Sequence, residues 1–455
     1  MSRSLRLGVF GLAVLAGIAG LAGVRARAAR AAQPNILVIV TDDQRAHTLH
    51  VMPRTRRIFY LNGRSFPRGF VTTPLCCPSR ASIFTGLYAH NHGIHTNGSA
   101  KLPQDRTIQR YLHDAGYKTA IMGKYLNSWD LARNPPNFDR WALIKPDSYW
   151  NAEFNVDGEV KNLPGYSTDV LSVKAVRWLR RFEERDDQPW FMYIAPVAPH
   201  APSIPAPEYA AAPVPQFRPV PSDFEADRSD KPPWVRSVSV PLSTVEDVRA
   251  KRLRTLMSVD ALVGHVFHEM EALGERHDTL AIYLSDNGDL WGEHGLVGKR
   301  VPYTESIHVP LAMRWPGHLE PGSLESNIAT NVDLAPTILD AANVEPLFPM
   351  DGVSVLGNWV RNRLFAEHWG GEIVPNWLQI RTKDFAYIEW YDGFHLRPTF
   401  REYYRTTKDP WQLHNLLHDG NASNNPDLSK LRELMKQYRT CSGRSCPGVE
   451  LSSSP

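Results

Sequence analysis

Asn35-Ile36-Leu37-Val38-Ile39-Val40-Thr41 is an unbroken apolar run closed by Asp42-Asp43-Gln44. A run without polar alternation reads as a strand buried on both faces, the habit of parallel sheets covered by helices. In open α/β sheets the ligand site lies beyond the carboxyl ends of the strands. One Asp there fits a turn or a cap. Two in succession are hard oxygen donors suited to Ca²⁺ or Mg²⁺. Thr279-Leu280-Ala281-Ile282-Tyr283-Leu284 repeats the pattern and ends at Ser285-Asp286-Asn287-Gly288. Asp-Asn-Gly alone is a common turn, but Asp286 and Asn287 reproduce the placement of Asp42 and Asp43. Two strands thus each deliver two oxygen donors to one sheet edge.

The rest of the chain alternates strand and helix. Residues 118–122 form a strand ending at Gly123-Lys124-Tyr125-Leu126-Asn127, and 190–194 one that runs into Ala198-Pro199-His200-Ala201-Pro202. Lys124 therefore points to the same edge as Asp42, and prolines stiffen the backbone around His200. Another strand covers 309–313, shortly after Gly292-Glu293-His294-Gly295 and Lys299. Helices are expected over 107–115, 169–184 and 333–340, and after Ser243-x-x-Glu246, a capping box opening a helix that ends near Gly274. The proline-rich stretch 201–241 is expected to be a long ordered loop walling a substrate pocket. Beyond Leu364, runs such as Phe385-Ala386-Tyr387-Ile388-Glu389-Trp390-Tyr391 suit antiparallel strands, followed by a helix over 427–439.

Between the first two strands stands Pro74-Leu75-Cys76-Cys77-Pro78-Ser79-Arg80, then Ala81-Ser82-Ile83-Phe84-Thr85-Gly86. Pro78 is tolerated in a first helical turn. Cys76 lies at a helix start, where partial positive charge favours an anion, and Arg80 can aim its fork at the same anion. By itself this is a thiol pair before a core helix. His90-Asn91-His92-Gly93-Ile94-His95 puts three histidines in a short stretch and reads as a loop at a polar site, without a Cys or Glu at zinc spacing.

At 455 residues, 42% hydrophobic and 22% charged, the chain has room for a large core and two domains. A net charge of +3 and the lack of a long basic run outside the N-terminus give no case for nucleic acid. Arg3 and Arg6 precede an apolar stretch from Leu7 to Val24, then Ala26-Arg27-Ala28 and Ala29-Arg30-Ala31, so 1–32 reads as a signal peptide. The stretch is long enough for an anchor; its Gly and Ala content and the Ala-x-Ala sites favour cleavage, leaving a mature form that does not span a membrane. Export fits Cys441 and Cys446, which can close a small disulfide loop.

Leu75-Cys76-Cys77-Pro78-Ser79-Arg80 with Thr85-Gly86 resembles the signature of the type I sulfatases. The resemblance extends in order through Val40–Gln44, Gly123-Lys124, Ala198-Pro199-His200, Ser285–Gly288, Gly298-Lys299, Asp333-x-x-Pro336-Thr337 and Asp409-Pro410-x-x-x-x-Asn415-Leu416. It implies an α/β fold of the alkaline phosphatase type: a sandwich with a large, mostly parallel sheet flanked by helices over 33–364, and a small C-terminal α+β domain with an antiparallel sheet over 365–455. Gly123–Asn127 and Cys441-Ser-Gly-x-x-Cys446 look most like the N-acetylglucosamine-6-sulfatase branch.

The resemblance further implies that Cys76 is oxidised to formylglycine by a formylglycine-generating enzyme. Ca²⁺, with Mg²⁺ the alternative, would be held by Asp42, Asp43, Asp286, Asn287 and the modified residue 76. Arg80, Lys124, His200 and Lys299 would hold sulfate oxygens and growing charge, with His200 or Lys299 protonating the departing sugar oxygen. Many arylsulfatases carry a histidine where Leu126 stands; His92 and His294 are the candidates to replace it and to touch substrate. The expected substrate is a 6-O-sulfate of N-acetylglucosamine or a related amino sugar in a glycan. The expected location is secreted, periplasmic or extracellular, lysosomal in an animal. The alternative is a phosphoester or phosphonate hydrolase of the same superfamily.

Overall fold

A computed structural model describes residues 33–98, 101–184, 187–371, 373–393 and 397–450. The expected signal segment 1–32 lies outside them. A ten-stranded mixed sheet organises the chain. Its five central strands are parallel and run, side by side, Thr279–Ser285, Asn35–Thr41, Trp190–Ala195, Lys118–Gly123 and Arg140–Ile144. Leu311–Arg314 joins antiparallel on one side and Glu153–Val156 on the other, which makes the sheet mixed.

Every residue of Asn35–Thr41 is buried, and the two-residue period divides them between two cores. Ile36, Val38 and Val40 pack with Phe84, Leu112 and Ile338, which belong to the helices Cys76–Thr85, Ile108–Asp114 and Leu334–Ala341. Leu37 and Ile39 face the opposite way, toward Trp178 and Val259 on the helices Ser167–Glu183 and Leu242–Leu273. Continuous hydrophobicity in the strand is therefore the requirement of a sheet covered on both sides.

The C-terminal part is a four-stranded antiparallel sheet, Leu364–His368, Asn376–Arg381, Ala386–Tyr391 and Pro398–Tyr404, in chain order. Leu431, Met435 and Tyr438 of the helix Leu428–Thr440 cover one face, and Trp377, Ile388 and Trp390 on the other pack against Tyr303, Ile307 and Val309. Asp427 caps that helix by accepting from the Ser429 N–H. Cys441 and Cys446 are disulfide-bonded. No helix among the described residues is long and apolar enough to cross a membrane.

One local expectation is corrected. The long helix begins at Leu242 with Pro241 at its N-cap and no side-chain cap. Ser243 therefore already lies inside the first turn, too late to cap, and the Ser243/Glu246 box does not form. The proline-rich stretch is ordered by three short helical turns, Pro207–Tyr209, Pro221–Phe224 and Pro233–Arg236.

Candidate active site

Parallel pairing brings the strand ends together. Thr41 lies opposite Ser285, so Asp42 and Asp43 leave the sheet beside Asp286 and Asn287. The Asp286 N–H donates to the Thr41 carbonyl at 3.0 Å, and the Asp43 N–H to Asp286 Oδ1 at 3.2 Å. Asp43 takes a left-handed backbone, φ 70°, a conformation Asp tolerates better than most residues. Asn287 Nδ2 donates to Asp43 Oδ1 at 2.7 Å. Its Oδ1 is buried without a hydrogen-bond partner among the described residues, an acceptor left open beside three carboxylates.

Cys76 is the first residue of the helix Cys76–Thr85. Its sulfur lies 3.5 Å from Asp42 Oδ1 and 2.9 Å from Lys299 Nζ. Lys299 also bonds Asp43, and Lys124 bonds Asp42. Arg80, one turn along the helix and fully buried, donates from Nε to Asp286 Oδ2 at 2.8 Å and from Nη1 to the Lys124 carbonyl at 2.6 Å. Ligand atoms of Asp42, Asp43, Cys76 and His200 lie within 4.8 Å of one another. The structure thus brings together Asp42, Asp43, Cys76, Arg80, Lys124, His200, Asp286, Asn287 and Lys299.

Charge sets the protonation states. Burial alone would raise Asp42, but Lys124 and then His200, Arg80 and Lys299 hold it well below the usual carboxylate range. Burial would likewise lower Lys299 and His200; Asp43 keeps Lys299 cationic, and Asp42 with Asp43 raises His200. Burial, then Asp42, pushes the Cys76 thiol up to about 12. An unmodified cysteine here remains a thiol at neutral pH and is a poor nucleophile. Three buried carboxylates and an open amide oxygen make a hard, anionic donor set that fits a divalent cation of the Ca²⁺ or Mg²⁺ kind.

His92 and His294 are not brought to this cluster. His92 sits on the short helix Ala89–His92 beside the second turn of the Cys76 helix, with Nε2 3.2 Å from Ser82 Oγ and Nδ1 accepting from the Ile94 N–H at 3.0 Å. Burial pulls it down to about 3, so it is a neutral core residue. His294 occupies a left-handed turn, pairs with Glu225 Oε2 at 2.7 Å and packs on Tyr303. It anchors the proline-rich stretch.

Three residues of the site escaped the sequence. Asp147, also left-handed at φ 62°, lies 3.0 Å from His200 Nδ1 and turns Nε2 toward Asp43. Nothing near Asp147 in sequence announces this. Arg252, on the long helix, pairs with Asp289 at 2.9 Å and reaches Asp43 at 3.7 Å. Asp289 follows Asn287-Gly288 directly, a proximity that could have marked it. The C-terminal sheet contributes at one remove: Trp377 and Gln379 donate to the carbonyls of Arg300 and Pro302, holding the segment that follows Lys299.

The sequence and the fold have counterparts among known proteins. The Sulfatase family model matches residues 34–344, and a model described as N-sulphoglucosamine sulphohydrolase, C-terminal, matches 292–440. The chain belongs to the sulfatase family. It is 30% identical to human N-acetylglucosamine-6-sulfatase, covering 97% of this chain and 89% of that protein. A putative extracellular sulfatase Sulf-1 homolog of Caenorhabditis elegans is 36% identical over 71% of this chain, which spans about half (49%) of that longer protein. The chain spans 32% of the Drosophila melanogaster extracellular sulfatase SULF-1 homolog. Among solved structures, BT4656 in complex with its substrate D-glucosamine-2-N,6-O-disulfate superposes with a TM-score of 0.76 at 25% identity, covering 93% of this chain and all (100%) of that one. The phosphonate monoester hydrolase of Agrobacterium radiobacter shares the fold, with a TM-score of 0.72 at 21% identity over 89% of this chain and 95% of that one.

Proposed function

We propose that this chain is an exported sulfatase that hydrolyses a sulfate monoester, the 6-O-sulfate of N-acetylglucosamine or a related amino sugar in a glycan. The observation that carries the reading is the meeting of Asp42, Asp43, Asp286 and the open Asn287 oxygen with Cys76 at a helix start, under Lys299. A sulfate ester is anionic and repels nucleophiles. A divalent cation held by those oxygens supplies the charge that offsets this repulsion and polarises the S–O bonds.

Position 76, converted by a formylglycine-generating enzyme, would supply a hydrated aldehyde: one hydroxyl would attack sulfur and displace the sugar oxygen, and the second would then lose its proton and re-form the C=O bond as sulfate leaves. The high pKa of the thiol supports the need for that conversion. Lys124, Lys299 and Arg80 sit in a dry site where fixed positive charge is worth most, and they hold sulfate oxygens as charge shifts onto them. His200, whose pKa Asp42 and Asp43 raise and whose ring Asp147 orients, would deliver a proton to the departing sugar oxygen. The amino-sugar assignment draws support from the human relative and from the glucosamine disulfate that is the substrate in the BT4656 complex. Export draws support from the 1–32 pattern and from relatives named as extracellular.

The test combines mass spectrometry of the peptide containing residue 76 with turnover. Protein co-expressed with the modifying enzyme should carry the aldehyde and release sulfate from N-acetylglucosamine-6-sulfate faster than it cleaves an aryl phosphate or a phosphonate monoester. Preference for the phosphonate would replace this reading with that of the fold neighbour.

A further inference from the structure

A cavity of about 1160 Å³ opens along the seam between the large sheet and the C-terminal sheet, and none of the residues gathered around Cys76 lines it. Its walls come from the loop after the first strand, residues 67–70, the proline-rich segment with the start of the long helix, residues 291–308 with Ile328, and the C-terminal sheet with the loop after it. Six arginines and lysines line it against three carboxylates. One of those carboxylates, Glu293, is already taken by Arg45 at 2.6 Å.

The cations are not all neutralised. Arg218 and Lys383 are exposed at the walls and have no ion-pair partner among the described residues. Arg381 is only 8% exposed and lies over the Phe70 ring, with a buried Nη1 that has no hydrogen-bond partner among the described residues. An unmade hydrogen bond on a buried guanidinium is costly unless a ligand completes it. Trp411 and Phe217 also line the cavity. Aromatic faces for apolar sugar surfaces beside guanidinium forks for sulfate or carboxylate form a combination suited to an anionic saccharide. The volume exceeds that of an ordinary small-molecule pocket, roughly 300–1,000 Å³, and leaves room for several sugar units.

We propose that this cavity binds an anionic stretch of a sulfated or carboxylated glycan, separately from the catalytic cluster. The proposal rests on the reading of the chain as an enzyme of sulfated sugars, and it can fail on its own. In a Cys76→Ala background, which removes turnover, a size-defined heparin hexasaccharide is titrated calorimetrically, with free sulfate in a second arm. The pair Arg218→Ala/Lys383→Ala should weaken hexasaccharide binding by about tenfold or more. The control pair Arg177→Ala/Arg181→Ala removes the same charge from the helix Ser167–Glu183 and should change it little. With Cys76 intact, the cavity pair should release sulfate from N-acetylglucosamine-6-sulfate at the wild-type rate. Arg381→Met adds a buried position; if it misfolds, the exposed pair still decides. Equal losses in both pairs would mean general attraction of a polyanion and would overturn the site, as would free sulfate competing fully for the hexasaccharide's binding. Absent monosaccharide turnover in the unmutated enzyme would instead overturn the catalytic reading.

Discussion

Lys299 bonds both the Asp43 carboxylate and the Cys76 sulfur, joining the oxygen donors directly to the proposed nucleophile position. Lys299→Ala and Lys124→Ala should each lower kcat by about 10²–10³-fold, the scale of a lost preorganised donor. Steady-state kinetics on a sulfate ester checks this; wild-type kcat in either variant would remove that lysine from the chemistry. On the proposed role of His200, Asp147→Asn should lower kcat by about tenfold or more while KM moves little, as for a lost orienting partner. His92 and His294 make the opposite case. His92→Gln and His294→Gln should keep the kcat of the folded enzyme yet lose roughly 1–3 kcal/mol in urea unfolding, because Ser82, Ile94 and Glu225 lose buried partners.

At the scale of elements, the site depends on how strands end. Gly123 closes its strand at φ 92°, and a Cβ there would stand 2.0 Å from the Ala195 carbonyl oxygen. That close approach lets the Lys124 N–H reach the same oxygen at 2.8 Å and aims the lysine at Asp42. Gly123→Ala should cost roughly 1–3 kcal/mol from backbone strain alone and, by moving Lys124, should depress kcat in the fraction that folds. Urea unfolding together with kinetics separates the two effects. Gly86 ends the Cys76 helix in the left-handed region and returns its N–H to the Ser82 carbonyl, which limits the helix to the length that buries Arg80 against Asp286.

At the scale of the whole molecule, the C-terminal sheet is tied to the large sheet on the side of the Cys76 helix. His90, beside the Cys76 helix, pairs with Glu367 on the first C-terminal strand at 3.0 Å, and its Nε2 reaches the Cys441 carbonyl. Burial would lower this histidine, but Glu367 raises it from 6.5 to about 9. Its contribution to stability is therefore complete below about pH 6.5 and is lost as pH rises through about 9. That contribution is at most on the order of 3 kcal/mol. His90→Gln should lower Tm at pH 6 and flatten the decline of Tm between pH 6.5 and 9 seen in the wild type; an unchanged slope would mean the pair does not hold the two parts together. Chelation tests the donor set on the same scale. A cation bound only by the folded chain adds stability that grows with its concentration, so EDTA should lower Tm and abolish sulfate release, and Ca²⁺ or Mg²⁺ should restore both.

Much of this protein can be read from residue order. A strand buried on both faces must be apolar throughout, so Asn35–Thr41 and Thr279–Ser285 announce themselves, and the polar residues that stop them mark the sheet edge. The Cys76 helix start and the lysines at strand ends are equally local. Other features depend on packing. Asp147 reaches His200, and Arg252 reaches Asp43, only because separate segments fold over one edge. His92 and His294 differ from His200 not in type or flanking polarity but in which neighbours bury them. Local pattern tells where the chain leaves the sheet. Only the folded arrangement decides which side chains share that space, because a contact between residues distant in the chain leaves no trace in the spacing of either.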